Sequence, residues 1–483
     1  METIEELITK DLPGTIKMLT KDEKESSKID VMIMEYDQNV RDIRPTQVGT
    51  IQKTKIVGKG AKKKTVDPVR ITVPFQKKIV TTAAAFEVGE PVTLVPNVVN
   101  DLSMEVIRLW KINRVDDKLQ KAKVIQKSQT QCAFHFFIKD LSGDPSINKL
   151  PGVNLSKEIK VNILSQKEGK MAPVFDSTGN MNAFVWQFKT LNSEGKTIDN
   201  VWIFTETKVF ECSTTSGSMI VDNTKEHGFG KIPIVYMAQD HPEWYDAESL
   251  IDRFETCISK LGGSNDYSGY PLIKLYGEAI SMPDRDDDGK TLRFPIKEAD
   301  KDGKVSHGDA EFMTNSSAAD SIKLEMQSLE SLIYAITSTP NLSFDNMKSI
   351  GNVSGVALKL LFLDSILKAK MNEGENRTII ERIINVFISG TITTTVQKMA
   401  ADSKVLFMDV KFNSILPDDL KEAVAILTNA VSSGIMARKT AVEHLGMNES
   451  VQEELDLIAA DQLIKVAKIP VVDPLGDPTI IKP

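Results

Sequence analysis

Two amphipathic helical stripes on either side of a turn-rich, strand-forming stretch constrain this chain more than any other feature. HPEWYDAESLIDRFETCISKL sets Leu250, Ile251, Phe254, Ile258 and Leu261 along one face of a helix over 244–262, which Gly262 and Gly263 are expected to stop. A second helix over 316–340 opens at a cap offered by Ser317-Ala-Ala-Asp320. It carries Ile322, Met326, Leu329, Ile333 and Ile336 at spacings of 4, 3, 4 and 3, and ends at Pro340. Between them, PLIKLYG, KTLRFPI and AEFMTN read as strands, separated by SMPDRDDDGK and KEADKDGKVSHGD, so 263–315 is a small β insertion. Each stripe must be covered. The helices can cover each other within one chain, and a ring of identical subunits covers them equally well. The stripes through Leu250, Phe254 and Ile258 and through Ile322, Met326, Leu329 and Ile333 exceed what one helix pair covers, which predicts a closed ring.

The rest of the chain surrounds this core motif. At 483 residues it allows two to four units, on a prior of about 100 to 200 residues per domain. In the region up to about 240, Asp101 to Ile125 is helical with Met104, Ile107, Leu109 and Trp110 near one face. CAFHFFIK, NAFVWQFK and VWIFTETKVF are strands, with Phe184, Trp186 and Phe188 alternating. This predicts an α+β region around an antiparallel sheet. NLSFDNMKSIGNVSG (341–355) is an exposed loop, followed by a long helix from a Ser354 cap with Val356, Leu360, Leu363, Leu367 and Met371 on one face. Gly374 is expected to kink it before a second stripe through Ile380, Ile383, Ile384 and Phe387, and Val405 to Phe412 returns as a strand to the sheet. Beyond 416, Gly434, Gly446 and Asn448 divide the sequence into three helices, and the four prolines of 469–483 make an extended tail.

Charge and motifs narrow the function classes. With 59 Lys and Arg against 67 Asp and Glu, the chain carries a formal charge of −8, unlike proteins that grip nucleic acid by a basic excess. Cys132, Cys212 and Cys257 suit neither a disulfide framework nor a zinc site, and a reducing compartment is expected. The N-terminus has no apolar core of a secretory leader, and no apolar run reaches about 18 residues. KTKIVGKGAKKK (53–64) packs six lysines into twelve residues, read as a mobile solvated loop in preference to an anionic-ligand patch. Gly195-Lys196-Thr197 and Gly289-Lys290-Thr291 resemble the end of a phosphate loop, but Thr190 and Asp284 stand where its first glycine is needed. Asp284, Asp286 and Asp288 open like a calcium loop whose twelfth position is Pro295, so a solvated turn is expected. The five histidines have no metal-binding spacing, and His135 reads as a packing residue. No catalytic residue, metal or cofactor is expected.

The order of elements resembles that of the portal proteins of tailed double-stranded DNA bacteriophages. HGFGKIPIVYMAQDHPEWYDAESLIDRFETCISKL is similar to the family's segment running from "GKIP" and a strand into a first stem helix. STPNLSFDNMKSIGNVSGVALKLLFLDSILKAK resembles the stretch where a "P" and a later "SG-AL" bracket a tunnel loop. FNSILPDDLKEAVAILTNAVSSGIMARKTAVEHLG resembles an "LP-D" helix followed by "GI-S-T", with Ala437 where Ser is common, and KKIVTTAAAFEVGEPVTL resembles an early wing segment. The resemblance implies an α+β portal-like fold assembled as a ring. Its regions would be an N-terminal arm (1–28), wing (29–243 and 356–415), stem (244–262 and 316–340), clip (263–315), tunnel loop (341–355), crown (416–468) and tail (469–483). It implies a ring, usually of twelve, at one capsid vertex in the virion, assembled in the host cytoplasm, through which the genome is packaged and ejected. Implied partners are double-stranded DNA, the terminase motor, the major capsid protein and head-completion or tail adaptor proteins, with no membrane. Asn341, Ser343, Asn346, Met347, Lys348 and Ser349 would face the DNA channel, and Asp284, Arg285, Asp286, Asp288 and Arg293 would form the clip docking surface. The rival readings are a cytoplasmic enzyme and a non-viral helical scaffold.

Overall fold

The computed structural model describes residues 3–20, 23–37, 55–57, 64–66, 69–141, 157–191, 193–215, 217–268, 273–276, 309–312, 319–341, 360–395, 397–413, 420–445 and 451–467. The chain divides into two units, one of residues 1–351 and 361–415 and one of 352–360 and 416–483.

The first unit opens with α1 (Ile4–Lys10) and α2 (Leu12–Leu19). Thr3 and Glu6 form a reciprocal capping box on α1, and the Asp11 carboxylate accepts from the Gly14 amide at the start of α2. After α3 (Glu23–Tyr36), β1 (Lys55–Val57) and β2 (Lys64–Val66) pair antiparallel, so Lys55–Val57 and Lys64 of the lysine-rich segment are strand where a loop was expected, while 53, 54 and 58–63 lie outside the described residues. Then come α4 (Phe75–Val88), β3 (Thr93–Pro96), α5 (Asp101–Ile112) and α6 (Val115–Gln129). Asn100 caps α5, which buries Leu102, Val106, Leu109 and Trp110. Met104, expected on that face, is exposed because its position lies about half a turn from the 102–106–109 line.

Eight strands follow: β4 (Gln131–Asp140), β5 (Lys157–Leu164), β6 (Gly169–Phe175), β7 (Met181–Leu191), β8 (Thr197–Phe204), β9 (Lys208–Thr215), β10 (Ser218–Glu226) and β11 (Ile234–Ala238). They form two antiparallel sheets in place of the one expected, ordered β10-β9-β8-β7-β6 and β11-β4-β5. VWIFTETKVF supplies two strands, because Thr205 turns the chain between β8 and β9. Alternation along the strands sorts the layers. Val185, Val201, Ile203 and Phe210 meet Ile8, Leu12 and Leu19 of the N-terminal helices. On the other face, Phe184, Trp186 and Phe204 meet Ala133, Leu164 and Ile234 of the smaller sheet. That sheet's far side, with Phe134, Phe136 and Val161, packs on α5, α6 and a later helix. The result is four layers, two helical and two of sheet.

α7 (Glu248–Ser268) begins after a short 3-10 turn and runs through Gly262 and Gly263, which were expected to stop it. Their role is close packing: a Cβ on Gly262 would lie 3.2 Å from Val69 and 3.3 Å from Ile71. β12 (Ile273–Tyr276) and β13 (Asp309–Phe312) pair antiparallel within the expected β insertion, while KTLRFPI lies outside the described residues. α8 (Ala319–Thr337) ends where Ser338 takes a left-handed conformation, φ 55°. α9 (Leu363–Gly390) continues through Gly374 as one 28-residue helix. β14 (Met408–Lys411) pairs with β3 as a separate two-stranded ribbon and not with the main sheets, a correction to the expected return strand. In the second unit α10 (Leu420–Ser432), α11 (Arg438–Leu445) and α12 (Val451–Ala467) are the three C-terminal helices the stops imply, with Gly434 at φ 73° between the first two.

Candidate functional site

The predicted stem residues converge in one cluster. Phe254, Leu329 and Ile333 are buried there, with Leu250, Ile322 and Met326 packed against them; Ile258 is half-buried and lies outside it. The cluster is closed from within the chain. Phe75, Ile79 and Val80 of α4 lie over α7 and α8, and the Phe75 ring stands edge-on to Phe254 at 5.1 Å and to Tyr334 at 5.9 Å. Ile71 and Val73 amides donate to Ser259 Oγ at 3.0 Å and Glu255 Oε1 at 2.9 Å, which fixes the preceding segment along α7. These stripes therefore need no second copy to cover them, contrary to the expectation drawn from their length. Ile336, placed on the same stripe by its spacing, is exposed.

Next to this cluster, the C-terminal end of α8 and the first turns of α9 are tied to a buried chain of charges. Lys368 of α9 donates to Thr337 O at 3.0 Å and Ser365 Oγ to Ser338 O at 2.6 Å, so the end of α8 is pinned to the start of α9. Lys368 also pairs with Glu243 at 2.6 Å, Glu243 with Lys127 at 2.9 Å, and Lys127 with Glu87 at 2.8 Å. Lys123 reaches Glu87 at 3.2 Å, and Asn372 and Asn376 donate to its two oxygens at 2.6 and 3.1 Å. Burial alone would raise the Glu87 carboxyl, but the two ammonium groups hold it down at about 2. Burial would lower Lys127, yet Glu87 and Glu243 push it up; at Lys123, burial, with Lys127 beside it, outweighs Glu87 and lowers the ammonium. Such a network fixes geometry, because losing one member strands a charge in a dry interior. Nothing in VDDKLQKAKVIQKSQ marks Lys123 and Lys127 as buried, since lysines at helical spacing are ordinarily solvated.

Of the proposed channel residues, Asn341 ends the described part of its segment; Ser343, Asn346, Met347, Lys348 and Ser349 lie outside the described residues, as do Asp284, Arg285, Asp286, Asp288 and Arg293. Gly195-Lys196-Thr197 is a hairpin turn between β7 and β8, with Gly195 at φ 76° and Lys196 paired to Glu194. His135 packs between the sheets against Phe137, Trp202 and Phe204, as a packing histidine would. Among the described residues, no three His, Cys, Asp or Glu side chains are grouped to hold a metal ion, and no helix is long and apolar enough to cross a membrane. The three cysteines are free and buried.

Two sets of apolar residues are exposed, the second of them the face that the sequence assigns to the first half of the long helix. Leu324, Leu332 and Ile336 are exposed on α8, and Leu363, Leu367 and Met371 along the first half of α9. Leu324 and Leu332 lie out of phase with the stripe that packs, whereas Ile336 belongs to that stripe by its spacing.

The chain is similar to known proteins. A portal protein of Clostridium phage phiCD119 is 24% identical over 257 residues, 52% of this chain and 53% of that protein, so the alignment spans about half the relative's length. A chain in the neck of a native GTA particle with C12 symmetry is 10% identical with TM-score 0.39, covering 78% of this chain and 92% of that one. A chain in the virion of a native gene transfer agent particle is 10% identical with TM-score 0.38, covering 78% and 89%. The family model described as phage portal protein, SPP1 Gp6-like, matches residues 17–463, from within α2 to within α12, and the chain belongs to that family.

Proposed function

We propose that this chain is the subunit of a closed ring, twelve-fold as is usual for portals, at a single capsid vertex of the virion, through which double-stranded DNA enters and leaves. The observation that carries this is the extent of the family match, 17–463, which takes in every described element from α3 to α11. In this reading 29–243 and 356–415 form the wing, 244–262 and 316–340 the stem, 263–315 the clip, 341–355 the tunnel loop and 416–468 the crown. The acidic balance suits passage. DNA carries one negative charge per roughly 1.7 Å, so a basic wall would hold it. The clip has 7 Lys and Arg against 11 Asp and Glu. Lys348 is a single cation per subunit, repeated around the ring as a belt that touches phosphates without trapping them.

The chain performs no reaction in this reading. Nucleotide hydrolysis belongs to a terminase motor docked on the clip around Asp284, Arg285, Asp286, Asp288 and Arg293; head-completion or tail adaptor proteins take that place later, and the major capsid protein surrounds the wing. Assembly occurs in the host cytoplasm. Light scattering with negative-stain imaging of the purified chain tests the reading: closed rings with a central channel are expected, and a protein that stays monomeric at every concentration overturns it. Lys348→Glu should preserve rings and alter DNA packaging or retention. Deleting Pro283 to Lys290 should preserve rings and reduce motor binding.

A further inference from the structure

We propose that the turn His227-Gly228-Phe229-Gly230 is a proton-sensitive latch on the C-terminal end of α9: neutral His227 holds it closed on the π-helical turn Thr391–Thr395, and protonation of the imidazole releases that turn. The inference is independent of the ring reading, since every group it uses lies within one chain. Gly228 and Gly230 take left-handed conformations, φ 75° and 62°, which fold the turn tightly enough to drive Phe229 into the core, where it is fully buried. Gly390, the last residue of α9, makes room for it. A Cβ there would lie 2.6 Å from the Phe229 ring and 2.8 Å from Ile159, so the ring sits directly on the helix backbone.

Two hydroxyls hook the turn. Ser389 Oγ donates to Phe229 O at 2.5 Å, and Thr393 Oγ1 lies in hydrogen-bond reach of Gly228 O while sharing its one proton with Ser389 O. His227 sets the turn itself. Its Nε2 stands 3.1 Å from Thr205 O, and a carbonyl oxygen only accepts, so Nε2 carries the proton. Its Nδ1 then offers a lone pair, which accepts from the Phe229 amide at 3.2 Å. The imidazolium has no lone pair left. On protonation two N–H groups face each other at that distance, and the Phe229 amide loses its partner inside a tight turn. Burial already lowers His227 despite the Thr205 carbonyl, so the latch is closed at neutral pH and opens as pH falls. Around the ring, β4 contributes His135, whose charge would add to the repulsion; beyond Thr205, the Glu5 carboxylate of α1 is taken by Lys208 of β9 at 2.8 Å; Glu206, Glu226 and Lys231 are exposed; and residues 389–393 include no titratable group.

The element this latch biases is the π-turn, a geometry that is rare and concentrates at functional joints of helices. Thr391 Oγ1 is buried and has no hydrogen-bond partner among the described residues, although a threonine in an α-helical turn donates to the carbonyl four residues back. The closed turn therefore carries an orphan hydroxyl, which the hooks at Ser389 and Thr393 offset. Once they let go, the end of α9 can rewind and satisfy it.

Hydrogen–deuterium exchange with mass spectrometry on the full-length chain tests the latch, with rates corrected for the intrinsic effect of pH. From about pH 8 to about pH 5, a span that brackets the ordinary histidine value, peptides covering 226–232 and 385–395 should lose about tenfold more protection than peptides of α6. His227→Gln replaces the ring by an amide that can donate to Thr205 O and accept from the Phe229 amide without titrating, and it should abolish that excess. His135→Phe should leave the excess in place. Thr393→Val removes a hook without touching a titratable group, and should open both peptides already at neutral pH. A parent chain in which the two peptides lose no more protection than α6 overturns the proposal. An excess that survives in His227→Gln or vanishes in His135→Phe assigns the proton to another group and overturns it too. Should His227→Gln not fold, Thr393→Val decides: unchanged protection at neutral pH overturns the latch, and opening confined to the two peptides upholds it.

Discussion

The two halves of α9 carry the same kind of apolar periodicity and meet opposite fates. Ile379, Ile380, Ile383, Ile384 and Phe387 are buried in the core, where Phe387 stands edge-on to Phe136 at 5.3 Å. Leu363, Leu367 and Met371 face outward. The first half is held to its own chain by polar side chains, Ser365, Lys368, Asn372 and Asn376, and the second by dispersion and burial. Periodicity tells which residues share a face. It does not tell what lies across from that face.

The contrast is broken most severely at the joint between the halves. Glu87→Ala removes the acceptor of Asn372 and Asn376 and leaves Lys123 and Lys127 facing each other, and is expected to cost about 3–5 kcal/mol in chemical denaturation. The double variant Glu87→Leu with Lys127→Met should recover part of that loss; equal destabilisation by both would mean the pairing contributes nothing specific. Ile383→Ala, in the buried half, should cost about 2–5 kcal/mol, whereas Leu367→Ala, measured below the assembly concentration, should stay within about 0.5 kcal/mol of the parent chain. Similar costs at the two positions would erase the contrast.

Acid should separate layers that denaturant melts together. Burial, with His227 nearby, lowers His135 from 6.5 to about 4. Between those values the unfolded chain holds more protons than the folded one, so stability is full above pH 6.5 and falls as pH drops toward 4. Glu87, depressed from 4.5 to about 2, contributes stability that is present above pH 4.5 and lost as pH falls through about 2. The sheet layers should thus weaken before the α9 joint does, visible as loss of near-ultraviolet Trp signal ahead of loss of helix. His135→Phe should flatten the first limb and leave the second; an unchanged first limb would assign it elsewhere. The smallest effect is expected at the α7–α8 surface, where Arg253 and Glu325 pair at 2.7 Å in an exposed setting. Arg253→Ala should cost no more than about 1 kcal/mol and lose even that in high salt.

Local chemistry made much of this legible from residue order alone. Periods of 3.6 and 2 placed α7, α8, α9 and the strand runs, and the seven stem residues were chosen on spacing alone, six of which meet in one cluster. What failed was reading neighbours from local pattern. Gly262 and Gly263 read as a stop because glycine usually ends helices, yet here the approach of Val69 and Ile71, nearly two hundred residues away in sequence, decides their role. The buried lysines were invisible because only the tertiary placement of Glu87 and Glu243 makes their burial tolerable. The second sheet was missed because strand patterns do not say how many sheets they build.

The late position of α9 in the chain bears on how the protein is made. Together with Met408 and Val410 of β14, its buried half closes a core whose remaining walls, α5, α6 and the β11-β4-β5 sheet, are synthesised by residue 238. About 150 further residues must leave the ribosome before Phe387 reaches Phe136, on the order of 8–30 s at about 5–20 residues per second. For that interval the inner face of the sheet waits without its lid, a nascent species that invites chaperone binding or self-association. Chains truncated before residue 363 should accumulate in that sticky state, so expression yield depends on the C-terminal third arriving promptly.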